Sequence, residues 1–212
     1  MTKKTVIVDY GLGNLHSVRH ALEHVGADSV QISSNISDIL QADHLILPGV
    51  GAFGNGMREL AERSLSDAII NYAKSGKPLL GICLGMQLFA SSSEEFGFHT
   101  GLNLIPGKVV PIPTITNCGS TQKVPFVGWS GMKRVKDWGD SPLSSTKDHE
   151  AVYLVHSYHM MPDDSSAIMA VANYGGHDIT VAVCKDNIIG FQFHPEKSGR
   201  IGLSILRSFL DI

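Results

Sequence analysis

The sequence predicts an α/β fold with a central, mostly parallel sheet flanked by helices and a more antiparallel C-terminal half. Two observations carry this. Three strand–helix units follow one another before residue 83, and repeated units of this kind build parallel sheets with right-handed crossovers. After Phe89 the character changes to short alternating runs separated by turn residues, which read as antiparallel strands.

Thr5–Asp9 is a β-rich apolar run and is expected as a central strand. The tight loop Tyr10-Gly11-Leu12-Gly13-Asn14 follows it. Ser17–Val25 then carries Val18, Ala21, Leu22 and Val25 at helical spacing, and Gly26 stops that helix. The loop lacks the third glycine of a dinucleotide-binding G-x-G-x-x-G, so it argues weakly for a nucleotide. Ser29–Ile32 is a second strand, Ile36–Leu40 a short helix and Asp43–Leu47 a third strand. That strand runs into Pro48-Gly49-Val50-Gly51-Ala52-Phe53-Gly54, a glycine-rich loop at the strand end where open α/β sheets place their sites. One helix is expected over Asn55–Ser75, ended by Gly76.

Beyond Phe89, Ser91–Glu95 is a polar break and Leu104–Val110 a strand after a turn. Thr114–Gln122 reads as a loop. Strands are expected at Val124–Gly128, Gly131–Val135, Ala151–Ser157, Ile168–Tyr174, Thr180–Lys185 and Ile188–Phe193, with a closing helix at Arg200–Leu210. No linker or repeat divides residues 1–212, so a single domain is expected.

The balance of charge and apolarity, 17% charged and 43% hydrophobic, is that of a soluble globular chain. A net charge of −3 gives no broad field for nucleic acid, and no apolar run approaches the roughly 20 residues of a membrane span. Three cysteines, Cys83, Cys118 and Cys184, form neither a disulfide framework nor a metal spacing. The expectation is a reducing cytosol, no metal and no cofactor.

Chemistry concentrates at Leu79–Leu88. A short apolar run ends at Cys83, and the chain then turns helical through Phe89. Gly81 and Gly85 flank the cysteine, giving G-x-C-x-G, the form of a nucleophile elbow. A helix N-terminus below the sulfur favours the thiolate. The bland alternative is a buried structural cysteine. A cysteine nucleophile needs a base, and the base an orienting group. His194 stands at the end of the apolar strand, proline fixes the backbone after it, and Glu196 can fold back onto the imidazole. Read alone, His-Pro-Glu is also an ordinary strand-end turn. An oxyanion site needs backbone N–H donors. The amide of Leu84 is one candidate, and Val50 or Gly51 can supply a second. Gln87, one helical turn after Cys83, can reach a polar substrate end, or can simply face solvent.

Glycine loop, G-x-C-x-G and late His-x-Glu come in order. Gly81–Gln87 and Phe191–Ser198 resemble the signatures of the class I (triad) glutamine amidotransferases. Asp9–Asn14, Pro48–Phe53, Gly128-Trp129 and His156-Ser157-Tyr158 are similar to the family of glutaminase subunits of imidazole glycerol phosphate synthase, over essentially the whole chain. The resemblance implies a flavodoxin-like amidotransferase domain. It implies that Cys83 attacks glutamine, with His194 as base and acid and Glu196 orienting it. Gln87, Ser157 and Tyr158 would line the glutamine pocket. A (βα)₈-barrel synthase subunit would receive the ammonia, with Asn14, Trp129 and Lys197 on the partner face. Read independently, Trp129 suits either an exposed anchor or a core position. The sequence departs from the family pattern at Phe126, where histidine is usual, and at Ser130, where asparagine is usual. Both are expected near the partner face, so a paralogue feeding an amidino-sugar synthase is an alternative. A non-catalytic or peptidase-like protein on the same scaffold should lack the intact Cys-His-Glu set.

Overall fold

The computed structural model describes residues 2–212. The elements run β1 (Lys4–Val8), α1 (Leu15–His24), β2 (Ser29–Ser33), α2 (Ile36–Gln41), β3 (His44–Gly49), α3 (Phe53–Glu62), α4 (Leu65–Lys74), β4 (Leu79–Cys83) and α5 (Leu84–Gln87). The second half holds β5 (Ser92–Ser93), β6 (His99–Thr100), β7 (Gly107–Pro111), β8 (Phe126–Gly131), β9 (Lys133–Arg134), β10 (Ala151–His156), β11 (Tyr158–Pro162), β12 (Ile168–Tyr174), β13 (His177–Lys185), β14 (Ile188–Phe191) and α6 (Gly199–Leu210).

Eight strands form the main sheet in the order β2-β1-β3-β4-β14-β13-β12-β9. The strands from β2 to β14 are parallel, and β13, β12 and β9 add antiparallel neighbours. Alternation along each parallel strand serves two cores at once. Val6 and Val8 of β1, with Leu45 and Leu47 of β3, face the layer of α2, α3 and α4. Ile7 and Ile46 face the opposite layer, where α1 and α6 bring Val18, Leu22, Ile205 and Phe209. Burial on both faces is why these strands read as continuous apolar runs. The fold is the expected flavodoxin-like one, with the antiparallel part on one flank.

Two smaller sheets lie outside it: a β8–β10 ribbon, and a four-stranded sheet in the order β11-β7-β5-β6. Among the described residues no helix is long and apolar enough to cross a membrane.

Several expected elements are corrected. The single helix over 55–75 is two helices, broken at Arg63-Ser64, where Ser64 takes φ +58°. An unbroken helix would carry the buried face of Phe53, Gly56 and Leu60 on to Ser64 and Asp67. The break resets the phase and turns Leu65, Ala68, Ile69 and Tyr72 inward instead. The helix after Cys83 is shorter than expected, ending at Gln87. The polar stretch 91–95 contains β5, and β11 lies where no strand is expected. Glycine 128 does not end its strand, because β8 continues to Gly131.

Candidate active site

The sheet brings three separate stretches of chain to one edge. β4 ends at Cys83, with Gly49 of β3 as its register partner on one side. On the other side β14 pairs Gly190 with Gly81 and Phe191 with Ile82, which carries the chain to His194 beside the cysteine. Cys83 is 8% exposed and takes φ +54° and ψ −111°, a conformation that a side-chain-bearing residue rarely adopts. Both flanking glycines are required. A Cβ at Gly85 would stand 1.7 Å from the Leu47 carbonyl oxygen, and one at Gly81 would stand 2.5 Å from the Phe89 ring. The strained elbow that the sequence predicts is therefore formed.

His194 is clamped from behind. Its backbone N–H donates to the Tyr153 carbonyl at 3.1 Å, and its carbonyl accepts from the Ser198 hydroxyl at 2.7 Å. The same hydroxyl accepts from the Tyr153 N–H at 3.0 Å. Glu196, on a short 3₁₀ turn over Pro195–Lys197, places Oε1 2.8 Å from His194 Nδ1. The two side chains are 3% and 1% exposed. Glu196 Oε2 is buried with no partner among the described residues, so the carboxylate is committed to the imidazole. Nδ1 faces Glu196, which leaves Nε2 for the sulfur. Burial pushes the His194 pKa down, but hydrogen bonds to Cys83 and Glu196, together with their charges, outweigh it and raise it to about 9.

A cavity of about 370 Å³ opens over this pair. Of the residues expected at the site, Val50, Gly51, Cys83, Leu84, Gln87, Ser157, Tyr158, His194 and Lys197 all line it. Glu196 stands behind His194 and does not. Gly51, at φ +97°, and the exposed Val50 form its rim. Leu84 opens α5, so its N–H has no intrahelical partner. Gln87 is 5% exposed, which removes the solvent-facing alternative; its Nε2 donates to the Tyr158 carbonyl and to Gln192 Oε1, both at 2.9 Å.

Asn14 and Trp129 lie outside the cavity. Trp129 is 57% exposed, edge-on to Tyr153 at 6.0 Å, so it is a surface residue; the buried tryptophan is Trp138. Asn14 is exposed at the start of α1, and the neighbouring Gly13 lies against Pro48. Phe126 corrects an expectation. It is 5% exposed, stacks on Tyr174 at 4.0 Å and meets His156 at 5.7 Å. Its departure from the family pattern is a change in the core, not on an outer face.

Four lining residues were not expected at the site: Glu95, Pro125, Val155 and His156. Glu95 reaches the cavity from the segment after β5, anchored by accepting from the Phe53 N–H at 2.6 Å. Its only signal is an acidic pair in a polar break. His156 of β10 pairs with Phe126 of β8 and is buried, and burial holds its pKa down at about 4.

Residues 6–212 match the family model described as glutamine amidotransferase class-I. The chain belongs to the class-I glutamine amidotransferases. This amidotransferase is 44% identical over 209 residues to the imidazole glycerol phosphate synthase subunit HisH 1 of Legionella pneumophila strain Paris, covering 97% of this chain and 98% of the relative. It is 44% identical to the HisH subunit of Syntrophotalea carbinolica, with 98% and 99% covered, and 41% identical to that of Aquifex aeolicus, with 97% and 95% covered. Among solved structures, PurLQS from Thermotoga maritima superposes with a TM-score of 0.69 at 18% identity, over 100% of this chain and 99% of that one. A crystal structure described as glutamine amidotransferase gives 0.71 at 15% identity, with 97% of each chain covered. At these identities the superpositions speak for the shared amidotransferase fold. The enzyme class is thus glutamine amidotransfer, and the cavity brings together a thiol, a buried imidazole–carboxylate pair and a backbone N–H without an intrahelical partner.

Proposed function

We propose that this chain, acting as one amidotransferase domain, is the glutaminase subunit of imidazole glycerol phosphate synthase, hydrolysing glutamine and delivering ammonia to a (βα)₈-barrel partner in the cytoplasm. The observation that carries the chemistry is the meeting of Cys83 with the buried His194–Glu196 pair at one cavity. The relatives named HisH, which match nearly end to end, carry the pathway.

The mechanism follows from the parts. Imidazolium at His194 holds the Cys83 sulfur as thiolate. The sulfur attacks the carboxamide carbon of glutamine, and negative charge gathers on the amide oxygen. Backbone N–H groups of Leu84 and of Val50 or Gly51 receive that charge. His194 gives its proton to the departing nitrogen, and ammonia leaves a γ-glutamyl thioester. His194 then takes a proton from water, which attacks the thioester. Glutamate departs and the thiolate and imidazolium are restored. Glu196 holds the tautomer throughout. Gln87, Ser157 and Tyr158 line the glutamine pocket, and the Glu95 carboxylate suits the substrate's ammonium.

Lys197, Trp129 and Asn14 form the face towards the barrel, with Trp129 as its aromatic anchor. Phe126 is buried, so it gives no ground for preferring a different acceptor.

The test is glutaminase activity of the chain mixed with the histidine-pathway barrel subunit, with and without that barrel's nucleotide ligand. Ligand-dependent glutamate release is expected, and Cys83→Ala should abolish it while the complex still forms. Retained hydrolysis in that variant would exclude the mechanism. Absence of complex and of stimulation would exclude the pathway.

A further inference from the structure

Gln192 is fully buried, and its chain neighbours Phe191 and Phe193 stack on each other at 4.8 Å. An apolar residue would satisfy the packing of this strand exit. A buried primary amide costs free energy unless its donors and acceptor are used. Here they are used in a fixed direction.

The direction is set by a backbone carbonyl. Tyr158 C=O can only accept. The Gln87 atom 2.9 Å from it must therefore be the amide nitrogen, Nε2. That nitrogen also lies 2.9 Å from a side-chain atom of Gln192, which must then be the acceptor, Oε1. The Gln192 NH₂ is left facing Cys83, with Nε2 3.8 Å from Sγ. His156 Nδ1 approaches the same Tyr158 carbonyl at 2.9 Å, so it too is the protonated nitrogen. The result is that Gln87 donates to Gln192 and Gln192 donates to the sulfur, while the Tyr158 carbonyl accepts from both Gln87 and His156. A second result is that Gln87 Oε1, which accepts no bond from the described residues, is the end of that amide left for the cavity.

We propose that Gln192 is a positioning residue for the glutaminase reaction: it aims an amide N–H at the nucleophilic sulfur and, through Gln87, fixes the substrate-facing amide relative to that sulfur. The proposal rests on the reading of Cys83 as nucleophile. A donor aimed at Sγ favours the charged sulfur over the neutral one. The bond from Gln87 keeps that donor from turning away. Position 192 thereby links the readiness of the nucleophile to the posture of the pocket.

The experiment is the pH profile of iodoacetamide alkylation at Cys83, read by mass spectrometry of its tryptic peptide so that Cys118 and Cys184 are scored separately. Gln192→Met fills the space without a donor and should move the Cys83 profile to higher pH by about one unit, slowing alkylation about tenfold on its acid side. Gln192→Glu sets a carboxylate against the sulfur and should move it further. Gln87→Leu, which leaves the strand untouched, should move it in the same direction by a smaller amount. In complex with the barrel subunit, the Gln192 variants should lose kcat for glutamine more than they raise KM. Unshifted Cys83 profiles in variants that melt like wild type overturn the proposal, and the Gln87 variant decides if neither Gln192 variant folds. A wild-type Cys83 no more reactive than Cys184 sinks the nucleophile reading itself, a separate outcome.

Discussion

Adding one methyl group at Gly85 tests how the elbow is built. The new Cβ would lie 1.7 Å from the Leu47 carbonyl oxygen, against an ordinary carbon–oxygen approach of about 3.3 Å. About 1.5 Å of separation has to be found. The obstacle is backbone in β3, which is held between β1 and β4, so it yields little. The turn of α5 must lift instead, and with it the Leu84 N–H and the Cys83 backbone. Overpacking of this kind costs roughly 1–3 kcal/mol against side chains, and about 4 kcal/mol is a reasonable figure against a fixed carbonyl. For a chain of this size each kcal/mol lowers Tm by about 2–4 °C, so Gly85→Ala should melt about 8–16 °C below wild type. A displacement on the order of 1 Å at the reacting atoms should also cut glutaminase kcat about a hundredfold. Gly51→Ala is the control. Gly51, unlike Gly85, has positive φ, but nothing lies within 4 Å of the added Cβ. It should cost only conformational strain, about 1–2 kcal/mol. Differential scanning calorimetry and glutamate release in the barrel complex measure both. A Gly85→Ala protein that melts within 3 °C of wild type and keeps its activity would refute the steric account.

Glu196→Gln should remove much of what holds the His194 pKa at about 9, so the basic limb of the pH–rate profile moves to lower pH and kcat falls about a hundredfold or more; an unmoved limb would count against the pairing. Glu95→Gln should raise KM for glutamine about tenfold and leave kcat within a few fold, since a neutral amide still accepts from Phe53 but no longer meets an ammonium; an unchanged KM would remove Glu95 from the pocket. Burial holds His156 and His159 neutral, each with its pKa lowered to about 4. Their contribution to stability is therefore complete above the ordinary value near 6.5 and is lost as pH falls through about 4. The two together amount to at most about 7 kcal/mol, so the urea midpoint should drop by up to about 2–3 M between pH 7 and pH 4, and by less in His159→Gln; a flat midpoint would show that these rings find partners when protonated.

Much of the site was legible because its parts are local. Strain at Cys83 needs Gly81 and Gly85, and both stand beside it in the chain. His194 and Glu196 share one turn. The parallel strands announce themselves because two-sided burial makes them apolar throughout. What escaped depends on distant partners. Ser92–Ser93 and Tyr158–Pro162 become strands only because each pairs with β7, and neither carries a β-rich run of its own. The break at Ser64 needs no glycine, and it shows only as a shift in helical phase. Glu95 is one acidic residue among polar neighbours until Phe53 fixes it over the cavity. Trp129 could be placed outside and Phe126 inside only once the ribbon's two faces were known.

β14 lies between β4 and β13, so the strand that delivers His194 is a central one, yet it follows β4 by roughly a hundred residues of chain. Until residues 188–191 emerge from the ribosome, β4 keeps an open edge and Cys83 has neither the His194 imidazole nor the Gln192 amide beside it. The thiol is thus present in the nascent chain while roughly a hundred further residues are added, without the groups that surround it in the finished fold. Insertion of one later strand closes the sheet, shields the cysteine and brings His194 to it in a single event. An incompletely folded chain therefore lacks the assembled cluster of Cys83, His194 and Glu196, which exists only where the central sheet is finished.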